Sequence, residues 1–169
     1  TSAFVEKEDT VLCPTPSFGM YKIFTKIAGG TPIEVPLDQD YKYQTDVILE
    51  MAKKYNPKII FLCTPNNPTG NSIPFSDIKT ILNTFSGIVV IDEAYIEFAG
   101  KSMAEDILKY SNGIVLRTFS KAMGLAGLRI GYSICNTDLA LQIYRVKPPY
   151  NLNTFSQKAA ILSLENIDI

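Results

Sequence analysis

Residues 87–98 read GIVVIDEAYIEF, and the fold is decided by how the first six of them are buried. Four consecutive β-branched residues, Ile88 to Ile91, are followed at once by Asp92. A strand with one wet face alternates apolar and polar positions, whereas a strand covered on both faces runs apolar without interruption until it leaves the core. The run therefore reads as an inner strand of a parallel sheet, with Asp92 at its carboxyl end.

Similar runs lie on either side: VLC at 11–13, PIEV at 32–35, KIIFLC at 58–63, GIVLRTF at 113–119 and RIGYSIC at 129–135. Between them SFGMYKIFTKIA (17–28), TDVILEMAKKY (45–55), FSDIKTILNTF (75–85) and MAEDILKYS (103–111) carry amphipathic helical spacing. Strand and helix alternate, which predicts an α/β fold, a mostly parallel sheet flanked by helices. Beyond the last strand, Thr137 is expected to cap a helix over TDLALQIYRVK that Pro148 and Pro149 stop. Thr154 and Gln157 read as a capping box for a final helix running to about Asn166. With no internal repeat and no Gly/Ser linker, residues 1–169 form one domain. The first residues read as the tail of a helix whose beginning is absent, so the sequence is expected to be a piece of something longer.

The chain's net charge of −1, with 46% hydrophobic and 20% charged residues, carries no bias toward nucleic acid. No apolar run reaches the roughly 18 residues of a membrane helix, and the N-terminus has no signal-peptide pattern, so a cytoplasmic location is expected. Cys13, Cys63 and Cys135 are scattered in apolar stretches and read as buried free thiols, with no metal site. Because the sequence contains no histidine, the commonest catalytic base and zinc ligand are both excluded. Any catalysis must run on lysine, carboxylate, tyrosine or a cofactor.

Ligands of open parallel sheets bind at the carboxyl ends of the strands. Three successive strand ends here run into polar segments: TPNNPTG (64–70), DEAY (92–95) and SKAMGLAGLR (120–129). Each has a plain structural reading: a turn for NNPTG, a helix cap for Asp92, packing for Tyr95, solvated charges for Lys121 and Arg129. Taken together they match the needs of pyridoxal phosphate. That cofactor wants a lysine amine for a Schiff base and a carboxylate that keeps its pyridine nitrogen protonated, roles open to Lys121 and Asp92. Its phenolic oxygen wants neutral donors, such as Asn67 and Tyr95. Its phosphate wants a guanidinium and a hydroxyl near a helix N-terminus, such as Arg129 and Ser120. Gly124, Ala126 and Gly127 fit a close backbone approach, or simply a tight turn.

NNPTG, DEAYIEF and RTFSKAMGLAGLRIG (117–131), in this order with about 25 and 29 residues between their key positions, resemble the large cofactor domain of the pyridoxal-phosphate aminotransferases of the aspartate aminotransferase fold. DEAYIEF with PSFGMY (16–21) upstream is most similar to the histidinol-phosphate branch of that family. The resemblance covers Phe4 to Asn166. It implies that Lys121 bonds the cofactor and shuttles the proton, that Asp92 pairs with the pyridinium, and that Asn67 and Tyr95 hold the phenolic oxygen. It further implies that Ser120 and Arg129 bind the phosphate, and that Phe18 stacks on the ring where the family often has tyrosine. A phosphate-binding loop and a partner-subunit tyrosine would precede Thr1, and a small domain with a carboxylate-binding arginine would follow Ile169. Neither Arg117 nor Arg145 lies where that arginine is expected. The implied activity is transfer of an amino group between histidinol phosphate and 2-oxoglutarate by a homodimer. The alternatives are an aromatic aminotransferase, a phosphothreonine decarboxylase, or a cofactor-binding piece without turnover. A nucleotide-binding domain is disfavoured, since no G-x-G-x-x-G or G-x-x-x-x-G-K-[ST] follows a strand.

Overall fold

The structure is a computed structural model and describes residues 1–166. Six strands form one sheet: β1 (Thr10–Thr15), β2 (Thr31–Pro36), β3 (Ile59–Cys63), β4 (Ile88–Asp92), β5 (Gly113–Thr118) and β6 (Gly131–Cys135). Their spatial order is β2-β1-β3-β4-β5-β6. All neighbours are parallel except β5 and β6, which pair antiparallel through the 119–130 segment. Five helices accompany them: α1 (Met20–Ile27), α2 (Thr45–Tyr55), α3 (Phe75–Thr84), α4 (Thr137–Val146) and α5 (Thr154–Glu165).

The uninterrupted aliphatic runs are buried on both faces, as their pattern required. Leu12, Ile60, Leu62, Val89, Ile91 and Val115 point to a core completed by Ile48 and Ala52 of α2 and Ile78, Ile81 and Leu82 of α3. The alternate residues Val11, Ile59, Phe61, Val90 and Ile114 face Tyr21 of α1, with Leu139 and Ile143 of α4 packed against them. Two layers of helix thus cover β3 and β4, and every charge the inner strands carry is displaced to their ends.

Three local expectations are corrected. Residues 103–111 do not form a helix: they make turns with a single 3₁₀ turn, Ile107–Lys109. Met103 and Ile107 are fully buried, four residues apart, with Tyr110 packed against the same core, and one turn suffices to place them. The cap of α4 is Asn136, not Thr137, and that of α5 is Asn153, not Thr154. Each asparagine Oδ1 accepts the N–H three residues on, at 2.9 and 2.8 Å, leaving the threonine as the first helical residue. Gln157 donates to the Leu152 carbonyl rather than closing a box on Thr154.

Asn112 shows how the sheet's amino end is fixed. Its Nδ2 reaches the carbonyls of Leu82, Phe85 and Gly87 at 3.1, 2.8 and 3.2 Å, tying the end of α3 and the start of β4 to the entry of β5. Asn112→Ala is expected to cost about 1–3 kcal/mol, because carbonyls lose their donor without gaining water; a urea unfolding midpoint within error of the parent protein would contradict this role.

Candidate active site

At the carboxyl end of the sheet, the segments after β1, β3, β4 and β5 converge on a cavity of about 60 Å³. Phe18, Asn67, Asp92, Tyr95 and Lys121 all line it, together with Tyr21 and Cys63. Five residues selected from three separated motifs and the segment after β1 therefore meet in one place. Asp92 occupies the last position of β4, in register with Cys63 of β3 and Leu116 of β5. Its Oδ1 accepts the Ala94 N–H at 3.0 Å, which turns the chain so that Tyr95 follows on the cavity wall. Its Oδ2 accepts the Tyr21 hydroxyl at 2.6 Å. Among the described residues no lysine or arginine nitrogen lies within 4 Å of this carboxylate.

Tyr21 escaped the sequence reading. The available signal was its spacing: three residues after Phe18, one helical turn on, it lands on the same side. Phe18 meets it edge to face with centroids 5.5 Å apart, and Tyr21 itself stacks on Phe61 at 4.5 Å. Burial first, and then the Asp92 charge, push its phenol far above the ordinary tyrosine value, so the proton stays on Tyr21.

Asn67 is held through its neighbour. Buried Asn66 donates to the Pro16 carbonyl at 2.9 Å and to Thr69 Oγ1 at 2.7 Å, while its Oδ1 accepts from Ser17 at 2.7 Å and from Tyr43 at 3.2 Å. One amide side chain thus fastens the Phe18 segment to the Asn67 turn. Lys121 is exposed on the turn after β5, its Nζ 5.1 Å from the centroid of the Tyr95 ring. Thr118 Oγ1 accepts the Ser120 N–H at 3.0 Å, and Gly124, at φ +66, returns its N–H to the Lys121 carbonyl at 3.0 Å.

Ser120 and Arg129 share this segment but lie outside the lining of the cavity. Arg129 is exposed in the left-handed region, φ 55, and its Nη1 donates to the Ala126 carbonyl at 2.8 Å. The expected helix N-terminus beside them is replaced by turns and one 3₁₀ turn, Ala126–Leu128, because positive φ at Gly124 and Arg129 breaks helical continuity on either side. A Cβ built on Gly124 or Gly127 would meet nothing within 4 Å, so no packing among the described residues requires glycine at 127, and at 124 only the positive φ does. Cys13 and Cys63 are buried and Cys135 half-buried, all three as free thiols.

The sequence profile of the family "Aminotransferase class I and II" matches residues 1–169. A histidinol-phosphate aminotransferase from Caldanaerobacter subterraneus subsp. tengcongensis is 50% identical over 97% of this chain and 47% of its own length. Among solved structures, a histidinol-phosphate aminotransferase from Sinorhizobium meliloti in complex with pyridoxal-5′-phosphate superposes with a TM-score of 0.89 at 26% identity, covering 96% of this chain and 45% of its own. An L-threonine-O-3-phosphate decarboxylase from Porphyromonas gingivalis gives 0.80 at 27% identity, over 94% of this chain and 47% of its own. The chain spans about half the length of the curated relatives it matches.

Tyr21, Tyr43 and Cys13 share a titration consequence. Burial holds both phenols and the thiol in their neutral forms, the Cys13 thiol being pushed up from 9.0 to about 12. The unfolded chain releases these protons at ordinary values and the folded chain keeps them. Their stabilisation is therefore complete below pH 9 and is lost as pH rises toward about 12. Tyr21→Phe is expected to lower stability at neutral pH by about 1–3 kcal/mol, since Asp92 loses a donor, and to flatten the alkaline decline; urea unfolding measured at several pH values checks both, and an unchanged alkaline slope would refute the assignment to Tyr21.

Proposed function

The chain belongs to the class I and II aminotransferase family, and from that premise we propose that it is the large, pyridoxal-phosphate-binding domain of a histidinol-phosphate aminotransferase. The reaction proposed is exchange of an amino group between histidinol phosphate and 2-oxoglutarate. The observation that carries this reading is the placement of a buried-end carboxylate, Asp92, and an amine, Lys121, on one small cavity whose carboxylate has no cation of its own among the described residues. A site built this way asks for a ligand that brings a positive nitrogen to Asp92 and an electrophilic carbon to Lys121. Pyridoxal phosphate answers both demands: when bound it supplies a carbonyl for the amine and a protonated ring that accepts the electron pair left on the substrate carbon.

The chain's residues then have distinct tasks. Asp92, held by Tyr21 and Ala94, would keep a proton on the ring nitrogen. Tyr95 and Asn67, which line the same cavity, would be the donors for the phenolic oxygen. Phe18, 43% exposed at the cavity's edge, supplies an apolar ring face. Lys121 Nζ would be the amine that holds the cofactor's carbonyl carbon and the base that takes and returns the substrate proton. Ser120 and Arg129 are assigned to the phosphate; the open space around Gly124 and Gly127 leaves room for that approach.

The identity of 42–50% to curated histidinol-phosphate aminotransferases supports the substrate over the second reading, a phosphothreonine decarboxylase, which rests on the comparable fold match of that enzyme. Exposed apolar side chains on α4 and α5, among them Leu141, Tyr144, Phe155 and Leu162, support a homodimer or packing against further parts of the protein. A cytoplasmic site of action is proposed with it; no helix among the described residues is long and apolar enough to cross a membrane.

In the full-length protein, pyridoxal phosphate followed by borohydride is expected to label Lys121, and histidinol phosphate to be turned over in preference to O-phosphothreonine. Label on another lysine, or decarboxylation as the faster reaction, would displace this reading. Asp92→Asn is expected to keep the label and lower kcat by about 10²–10³-fold, as for loss of one pre-set electrostatic contact; undiminished turnover would remove Asp92 from the ring nitrogen.

A further inference from the structure

Directly after Asp92 the chain buries a second carboxylate. Glu93, the first residue after β4, is 0% exposed and is not part of the cavity lining. Its Oε1 accepts the Met103 N–H at 2.7 Å, and its Oε2 accepts the Ser102 hydroxyl at 2.7 Å and Arg117 Nε at 2.8 Å. Arg117, the next-to-last residue of β5 and 14% exposed in its side chain, spreads its guanidinium over three partners. Besides Glu93 it donates from Nη1 to Glu97 at 3.1 Å and from Nη2 to Ser102 at 2.8 Å. Ser102 closes the cluster by accepting the Ala104 N–H at 2.8 Å. The main chain adds Glu93 N–H to the Leu116 carbonyl at 3.0 Å and Ile96 N–H to the Glu93 carbonyl at 3.2 Å.

Packing does not explain this arrangement. A buried ion pair gains little over apolar residues of the same size, because both charges lose their hydration. What it supplies is a single geometry, since every donor and acceptor must be met at once. The geometry fixed here is that of the site. Glu93 follows Asp92 by one residue and precedes Tyr95 by two, while Arg117 precedes Lys121 by four. The pair therefore ties the end of the strand bearing Asp92 to the end of the strand that leads to Lys121, with the 99–106 loop drawn in beneath.

We infer that Glu93 and Arg117 are positioning residues for the cofactor-binding carboxylate: the Glu93–Arg117–Ser102 cluster sets the direction in which Asp92 presents its charge. This rests on the reading of Asp92 as the partner of the ring nitrogen. Neither residue touches the cavity, so their effect passes through the backbone of residues 92–95 and 117–121.

The test is a comparison of two ligands in the full-length protein. Dissociation constants are measured for pyridoxal phosphate and for its 1-deaza analogue, in which the ring nitrogen is replaced by CH. The parent protein is expected to prefer the nitrogen-containing ligand, and Asp92→Asn to lose that preference. Glu93→Gln, which keeps the shape and removes the charge, is expected to lower the preference by about tenfold, the scale of one lost charge-assisted contact. Borohydride label should remain on Lys121. A role confined to stability would weaken both ligands alike, and an unchanged preference in Glu93→Gln overturns the inference while leaving Asp92 in place. No preference in the parent protein would instead overturn the role of Asp92, and the inference with it. Should Glu93→Gln not fold, Arg117→Lys carries the same comparison: it keeps the charge beside Glu93 but cannot span Ser102 and Glu97 as well, and a preference equal to the parent's overturns the inference. Glu97→Gln, at the more exposed end of the cluster, is expected to leave the preference within about twofold.

Discussion

Strand β4 is covered on both faces, and this constraint organises everything at the carboxyl end of the sheet. A chain that runs through Val89, Val90 and Ile91 without meeting water can place its first charge only where the covering helices stop. Two carboxylates stand there in succession, and because successive side chains of a strand point oppositely, one faces the cavity and the other the protein interior. The same end of the sheet thus needs one carboxylate partly uncompensated and one fully compensated. Asp92 is held by a phenol and an amide N–H, both neutral, and retains its charge for whatever faces it. Glu93 takes a guanidinium, a hydroxyl and an amide, and has no charge left to offer.

The same pairing of a cavity residue with a buried neighbour occurs after β3. Asn67 lines the cavity, and Asn66 beside it is consumed by four hydrogen bonds that join three segments. In each doublet, one residue presents chemistry and its neighbour immobilises the turn that presents it. This division costs little conformational freedom, because the bracing contacts are made to elements already packed in the core.

The six strands, the five helices and five of the residues lining the cavity were readable because each depends on local pattern: unbroken Ile and Val for burial, helical spacing for α2 and α3, polar residues at strand ends for the site. What escaped depends on distant partners. The 103–111 segment has helical spacing, but its entry is set by the contacts of Glu93 with Ser102 and with the Met103 N–H. The caps of α4 and α5 shifted by one residue because asparagine amides compete with threonine hydroxyls for the same orphan N–H groups, and the amide reaches them first. Tyr21 lay inside a stretch of aromatic and aliphatic residues where a buried hydroxyl is indistinguishable from a packing residue until its partner is placed. Arg117 had no role legible in the sequence, because its three partners lie 15 to 24 residues away along the chain.

The surroundings of Asp92 and the turn after β5 are built to different degrees by this chain. Tyr21 and the Ala94 N–H hold Asp92, and Asn66 braces the turn that carries Asn67. In the 119–130 segment, Arg129 spends its guanidinium on the carbonyl of its own turn, and Ser120 is fixed through its backbone while its hydroxyl makes no side-chain bond among those of the described residues. The difference follows from where charge is cheap to hold. An aspartate braced by two neutral donors can be pre-set within the fold, whereas an arginine and a hydroxyl aimed at a multiply charged anion gain their geometry from that anion's own oxygens. The direction of the Asp92 carboxylate is therefore what the core of this domain specifies, while the side chains of Ser120 and Arg129 are left to adjust.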